Sequence, residues 1–184
     1  MNILAISGSL RAASINSAFC RAAARLASPP LRVSVFAGLN ELPLFNPDLE
    51  PFESGPVRNF CTAVGHADAL LIASPEYAHG ISGPLKNALD WLVSYEGTVN
   101  KPVVLVNTSP RAWHAYEGLR EVLQTMSMLV MDEASMAIPL LGSCVTEQAM
   151  LAAPEVCRSI QTMLATTAAY LGGRDAPRPT FPLL

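Results

Sequence analysis

Two stretches hold most of the residues able to do chemistry. The first, 7-SGSLRAAS-14, runs on into Ile15 and Asn16 and offers the hydroxyls of Ser7, Ser9 and Ser14, the Arg11 guanidinium and the Asn16 amide. An apolar run precedes it and a helical pattern follows. Free backbone N–H groups and the positive end of a helix dipole therefore meet at one spot, which favours an anion. The loop is neither G-x-G-x-x-G nor G-x-x-x-x-G-K-[ST], so a dinucleotide pyrophosphate or a nucleoside triphosphate is not its natural ligand. One guanidinium with several O–H and N–H donors suits a single terminal phosphate. A simpler role stays open, in which Gly8 only makes the turn and Ser14 only caps the helix.

The second stretch, 74-SPEYAHGISG-83, combines Pro75, Tyr77 and His79 with two glycines, which let the backbone approach a flat ligand. Tyr77 and His79 can pack beside such a ring or serve only as structural side chains. Glu76 would repel a phosphate and is better used to accept hydrogen bonds from loop N–H groups. A third stretch, 107-NTSPRAWHAY-116, either completes the pocket or is an ordinary connection capped by Thr108 or Ser109. No Ser/His/Asp triad, carboxylate pair or metal cluster can be assembled, and His66, His79 and His114 are the only histidines. Missing side-chain chemistry points to a cofactor that carries the reaction. Cys20, Cys61, Cys144 and Cys157 lack metal or redox spacing and read as buried free thiols.

These loops need elements to hold them. Five apolar runs alternate with helical patterns: 2-NILAIS-7, 31-LRVSVFA-37, 68-DALLIAS-74, 102-PVVLVNT-108 and 129-LVMDEASMAIP-139. That alternation predicts a three-layer α/β sandwich around a parallel sheet, with the nearly continuous first, third and fourth runs at its centre. Phe19, Ala22, Ala23 and Leu26 recur at helical spacing behind Ser14. Leu85, Ala88, Leu89 and Leu92 do so behind Pro84, leaving Lys86, Asp90 and Trp91 toward other faces, and an outward Trp suggests an interface. Leu119, Val122, Leu123 and Met126 mark another helix, and Val156, Ile160, Met163, Leu164 and Leu171 the last, which stops at Gly172-Gly173. The Pro-rich stretch 38–56 is expected to be an ordered connection into a helix around Val57–Gly65, and 140–151 a loop or short helix. Right-handed crossovers favour the five-strand order 2-1-3-4-5, whose switch point lies between the first and third strands. The loops after those strands are the two chemically unusual stretches.

At 184 residues and 51% apolar side chains, the chain has material for one well-buried domain over 1–184, with 175–184 as a Pro-rich tail. A net charge of −3 argues against a broad nucleic-acid or anionic-membrane footprint, so small molecules or protein are the expected partners. No run reaches the length of a membrane span, and the start carries neither a basic leader nor a long apolar segment, so a cytoplasmic location is expected.

With those residues in view, the chain resembles the NADPH-dependent FMN reductase family of flavodoxin-like proteins, which includes quinone, azo-dye and chromate reductases. Two motifs carry the resemblance: 8-GSLRAASINSAF-19, similar to the family's G-S-x-R-x-x-S-x-N phosphate loop, and 75-PEYAHGISGPLKNALDWL-92, similar to its P-E-Y…L-K-N-A-[IL]-D-W signature. The resemblance implies that Ser9, Arg11, Ser14 and Asn16 hold the FMN phosphate, with backbone at Leu10 and Ile15. It further implies that Pro75, Glu76, Tyr77, Ala78, His79 and Gly80 line the ribityl chain and one edge of the isoalloxazine. In the third loop Ser109 matches the family's small residue, whereas Pro110, Arg111, Trp113 and Tyr116-Glu117-Gly118 replace its Gly-Gly step. The implied activity is hydride transfer from NADPH or NADH to FMN and on to a free flavin, quinone, azo compound or metal oxyanion, in ping-pong order, with no side chain as nucleophile and no metal. Members of the family are commonly homodimers, often paired into homotetramers, with the flavin near the subunit boundary. Two rival readings are an FMN electron carrier, though such carriers tend to be strongly acidic, and a non-enzymatic sensor read by a partner protein.

Overall fold

The strands in the middle of the sheet are the apolar runs whose side chains are covered on both faces. The computed structural model describes residues 1–50, 53–109, 111–138, 140 and 144–173. In it β1 (Asn2–Ser7), β3 (Ala69–Ala73) and β6 (Pro102–Asn107) lie side by side and are buried almost throughout. β2 (Arg32–Phe36) flanks β1 in parallel, from Asn2 opposite Arg32 to Ile6 opposite Phe36. The hairpin strands β4 (Glu76–Tyr77) and β5 (Gly80–Ile81) stand apart from this sheet.

The fifth position is split, where a single strand over 129–139 was expected. β7 (Leu129–Val130) pairs with Pro102 and Val103, and β8 (Met136–Ala137) pairs with Val106 and Asn107. Residues 132–134 turn between them. The ladder donor left over, the Leu105 N–H, is taken by the Ser135 hydroxyl at 3.0 Å, so the interruption leaves no buried amide unpaired there. The order β2-β1-β3-β6-β7, with β8 beside β6, is the expected 2-1-3-4-5 with its last strand in two pieces.

Alternate residues of each strand feed two apolar layers. Ile3, Ala5, Leu71 and Val104 face α1 (Ile15–Leu26), α5 (Glu147–Ala152) and α6 (Pro154–Gly172), around Phe19, Met150 and Met163. Leu4, Ile6, Leu70 and Leu105 face α2 (Gly55–His66), α3 (Gly83–Trp91) and α4 (Trp113–Thr125), around Phe60, Leu89 and Leu123. The short helix α5 settles the stretch 140–151 as partly helical; 141–143 and the tail 175–184 lie outside the described residues. Cys20 and Cys61 are buried, and burial pushes their thiols up to about 12 and about 11; Cys144 and Cys157 are only half-buried, contrary to expectation.

Trp91 overturns another expectation. It is 1% exposed, its Nε1–H donates to the Pro43 carbonyl at 2.8 Å, and Phe45 packs edge-on against it at 5.2 Å. Asn87 adds two bonds to the same segment, accepting from the Phe45 N–H and donating to Pro43 O. The Pro-rich connection therefore folds over α3, and the Trp that looked like an interface residue anchors it. At the amino edge of the sheet Lys101 is also buried, donating to Ala67 O at 2.5 Å and Gly65 O at 3.4 Å behind the end of α2. A cation on terminal helix carbonyls is favourable. Its removal from water nevertheless lowers the Lys101 pKa, against a smaller opposing pull from Asp68.

Candidate functional site

Three loops leave the carboxyl edge of the sheet, and polar side chains tie each to another. In the first, the Gly8 N–H donates to Ala73 O at 2.8 Å and the Gly8 carbonyl accepts from the buried Ser82 hydroxyl at 2.5 Å. A Cβ at Gly8 would overlap the side chains of Ser74 and Ser82, so this position needs glycine for close approach. Ser14 is the N-cap of α1, accepting from the Ser17 N–H at 3.2 Å, and Ser7 pairs with Ser17 through their hydroxyls at 2.8 Å. Ser9 Oγ accepts from the Arg11 N–H at 3.3 Å. The N–H groups of Ile15 and Asn16 occupy the first two helical positions, where no intrahelical acceptor exists.

Such an end fits a phosphate. Its donors are the two helical N–H groups, the Ser14 O–H left free by an accepting cap, the half-buried Ser9 and the exposed Arg11, and no carboxylate belongs to the loop. Ser14 and Asn16 are buried, whereas Leu10 is 54% exposed. Asn16 also reaches across the sheet edge, where its Oδ1 accepts from Thr108 Oγ1 at 2.7 Å and fastens the third loop to the first.

The second loop is the β4–β5 hairpin. Its central residues Ala78 and His79 take φ of 48° and 59°, the left-handed pair of a type I′ turn, on non-glycine residues where that conformation is strained. Gly80 follows directly and carries neither of these left-handed positions. Tyr77, Ala78 and His79 are exposed, while Pro75, Glu76 and Gly80 are half-buried.

The third loop is built by Asx-type bonds. Asn107 Oδ1 accepts from the Ser109 N–H at 3.0 Å and Asn107 Nδ2 donates to Ala112 O at 3.1 Å. Neither Thr108 nor Ser109 caps α4. The cap position is Ala112, which has no side chain for the purpose, and the acceptor comes from the second loop instead: Glu76 Oε2 takes the Ala115 N–H at 2.8 Å. The loop N–H groups expected of Glu76 are not its partners; it holds one N–H, that of Ala115 in the first turn of α4. A second tie runs parallel to it, with the His79 and His114 rings stacked at 4.2 Å and 18°. Trp113, 58% exposed, stacks on Tyr116 at 5.6 Å. Burial raises the pKa of the Tyr116 phenol, with Arg120 pulling the other way, so it remains a hydrogen-bond donor.

All the anticipated site residues thus come to one sheet edge, with Ser109 half-buried on the third loop and Pro110 outside the described residues. Sequence reasoning missed Ser82 and His114, whose partners lie in another loop, and Ser17, which pairs with Ser7 and Ser14 of the first loop; Thr108, expected only as a helix cap, instead reaches Asn16. Only Asn107-Thr108-Ser109 carried a local signal, that of side-chain turn chemistry. Among the described residues no group of three or more His, Cys, Asp and Glu could hold a metal.

A parallel sheet of this order, with a phosphate-suited helix end and a strained hairpin at its switch point, defines a flavodoxin-like protein. The family model for NADPH-dependent FMN reductase matches residues 1–140, and the chain belongs to that family. It is 46% identical over 95 residues to a probable NADPH:quinone oxidoreductase of Oryza sativa subsp. japonica, covering 50% of this chain and 47% of that protein. It is 41% identical over 92 residues to an NAD(P)H-dependent FMN reductase of Pseudomonas aeruginosa, covering 50% and 49%. The chain spans about half the length of these curated relatives. Among solved structures, the flavoenzyme NAD(P)H:acceptor oxidoreductase FerB from Paracoccus denitrificans superposes with a TM-score of 0.75 at 20% identity, over 93% of this chain and 97% of that one, a likeness of fold. No helix among the described residues is long and apolar enough to cross a membrane.

Proposed function

We propose that this chain is an FMN-dependent NAD(P)H oxidoreductase that reduces small planar acceptors, quinones foremost, and that residues 1–184 act as one FMN-binding domain with a C-terminal tail. When bound, FMN would supply the two-electron chemistry, hydride transfer from NADPH or NADH to the acceptor in ping-pong order. The observation that carries this reading is the convergence of the phosphate-suited start of α1 and the hairpin of 74-SPEYAHGISG-83 at the switch point.

In this reading the chain's own residues bind and orient. Arg11, Ser9, Ser14 and Asn16, with backbone at Leu10 and Ile15, hold the phosphate. Pro75, Glu76, Tyr77, Ala78, His79 and Gly80 form the wall along the ribityl chain and ring, and Ser109 closes the third side. The strained Ala78-His79 turn presents backbone toward the ligand, and the Glu76 and His79 ties keep the third loop in register with it. No side chain is needed as nucleophile or base. The protein works in the cytoplasm as a homodimer or homotetramer.

Anaerobic stopped-flow mixing of the FMN-loaded protein with NADPH tests the proposal: the oxidised flavin absorbance should bleach in one turnover and return on adding benzoquinone. Flavin that binds but stays oxidised would make the chain an electron carrier or a sensor, and absence of FMN binding would remove the reading.

A further inference from the structure

One aromatic pair at this sheet edge takes no part in tying the loops together. Trp113 opens α4 directly behind the third loop, is 58% exposed, and lies on Tyr116 with the rings 5.6 Å apart and 18° from parallel. Tyr116 is itself anchored. It is half-buried against the apolar layer beneath α4, and its phenol meets the Ser135 hydroxyl, which accepts from the Leu105 N–H of β6. Beside it the Arg120 guanidinium grips the Asp132 carboxylate through two N–H bonds, which fastens α4 to the turn between β7 and β8. The free face of Trp113 is therefore a flat apolar surface on a fixed backing, and stacking on it costs little side-chain entropy.

The residues that follow place this surface at the candidate site. His114 stacks on His79 of the hairpin and the Ala115 N–H donates to Glu76, so the first turn of α4 adjoins the wall assigned to the flavin ring. Charge restricts what gains by lying there. Arg111 and Glu117, two residues before Trp113 and four after it, are both exposed and opposite in sign, and Arg120 is committed to Asp132. With no cation in excess, an oxyanion or a phosphate-bearing ligand gains nothing from charge at this surface, whereas a neutral flat ring gains the full contact.

Given the oxidoreductase function proposed above, we infer that Trp113, backed by Tyr116, is the platform that sets acceptor specificity: it takes the face of a neutral, planar, fused-ring quinone and confers no advantage on a metal oxyanion. Trp113 stands among the residues that replace the family's Gly-Gly step, so this platform is a feature of this chain and not of the family pattern.

Two measurements on the FMN-loaded protein test it. The chain has two tryptophans and Trp91 is buried, so a quencher added from solution acts on Trp113. Naphthoquinone titrated into the oxidised protein should quench indole fluorescence along a saturable curve, whereas chromate should give only a linear, collisional one. In stopped flow, protein first reduced with NADPH should be reoxidised by naphthoquinone with a half-saturating concentration about tenfold higher in Trp113→Ala, at a limiting rate within about twofold of the parent's. Trp113→Phe, which keeps a ring, should stay within about threefold of the parent. Reoxidation by chromate and the NADPH dependence of reduction should not change, and unaltered thermal melting controls for folding. Linear quenching by naphthoquinone, an Ala variant with the parent's half-saturation, or an equal loss toward chromate or NADPH would each overturn the platform. Failure of NADPH to reduce the parent would strike the oxidoreductase function instead, and the quenching titration, which needs no turnover, would still decide whether Trp113 binds the ring.

Discussion

Replacing Glu76 tests the construction of the site directly, because its carboxylate serves two loops at once. In Glu76→Ala the Ala115 N–H, at the first turn of a helix with no side-chain cap, loses its acceptor. A charge-assisted bond of this kind contributes about 1.5–3 kcal/mol. Glu76→Gln keeps a neutral acceptor and loses the charge at the helix N-terminus, a smaller change of about 0.3–1 kcal/mol. For a chain of this size each kcal/mol lowers the melting temperature by about 2–4 °C, so Ala should cost roughly 3–12 °C and Gln less than about 4 °C. The loss reaches the ligand because the hairpin and the third loop are no longer held together. FMN affinity, read by quenching of flavin fluorescence, should fall about tenfold or more in the Ala variant and less than about threefold in the Gln variant. Riboflavin binding should weaken in parallel, since the loop tie concerns the ring and not the phosphate. Equal effects of Ala and Gln would mean that charge matters and the bond does not, and an Ala variant as stable as the parent would refute the cap.

Arg11→Ala gives the complementary pattern: FMN affinity should drop by about one to two decades, from loss of a charge-assisted contact of about 1.5–3 kcal/mol, while riboflavin binding, measured by the same titration, stays unchanged. Lys101 sets a pH dependence. Its pKa is lowered in the fold, so at alkaline pH the unfolded chain binds the extra proton; stability should rise with pH from the folded pKa up to the ordinary lysine value. That rise should be missing in Lys101→Met, as followed by urea unfolding at several pH values. With its thiol pushed up to about 12, native Cys20 is thiolate to about one part in ten thousand at pH 8, so iodoacetamide should label the half-buried Cys144 and Cys157 first and Cys20 only after unfolding, as mass spectrometry would show.

The layers, the strand order and the placing of the two candidate-site loops at the switch point were legible in the amino-acid sequence. Burial on both faces leaves a continuous apolar run, an amphipathic helix leaves a period of 3.6, and a loop at a switch point is placed by the order of elements alone. Each of these signals is local or follows from chain connectivity. What the tertiary structure alone decided is which distant group each polar or aromatic side chain meets. Trp91 faces inward because Pro43, far back in the chain, folds across α3 to accept its N–H. Ser82 closes on Gly8, Asn16 on Thr108, Glu76 on Ala115 and Ser135 on Leu105, none of them a neighbour in sequence. A hydroxyl, amide or carboxylate has much the same hydrogen-bonding capacity in any context, so its residue type does not name its partner. That choice is made when the sheet brings separate loops within about 3 Å of one another, and burial then makes an unpaired group too costly to leave.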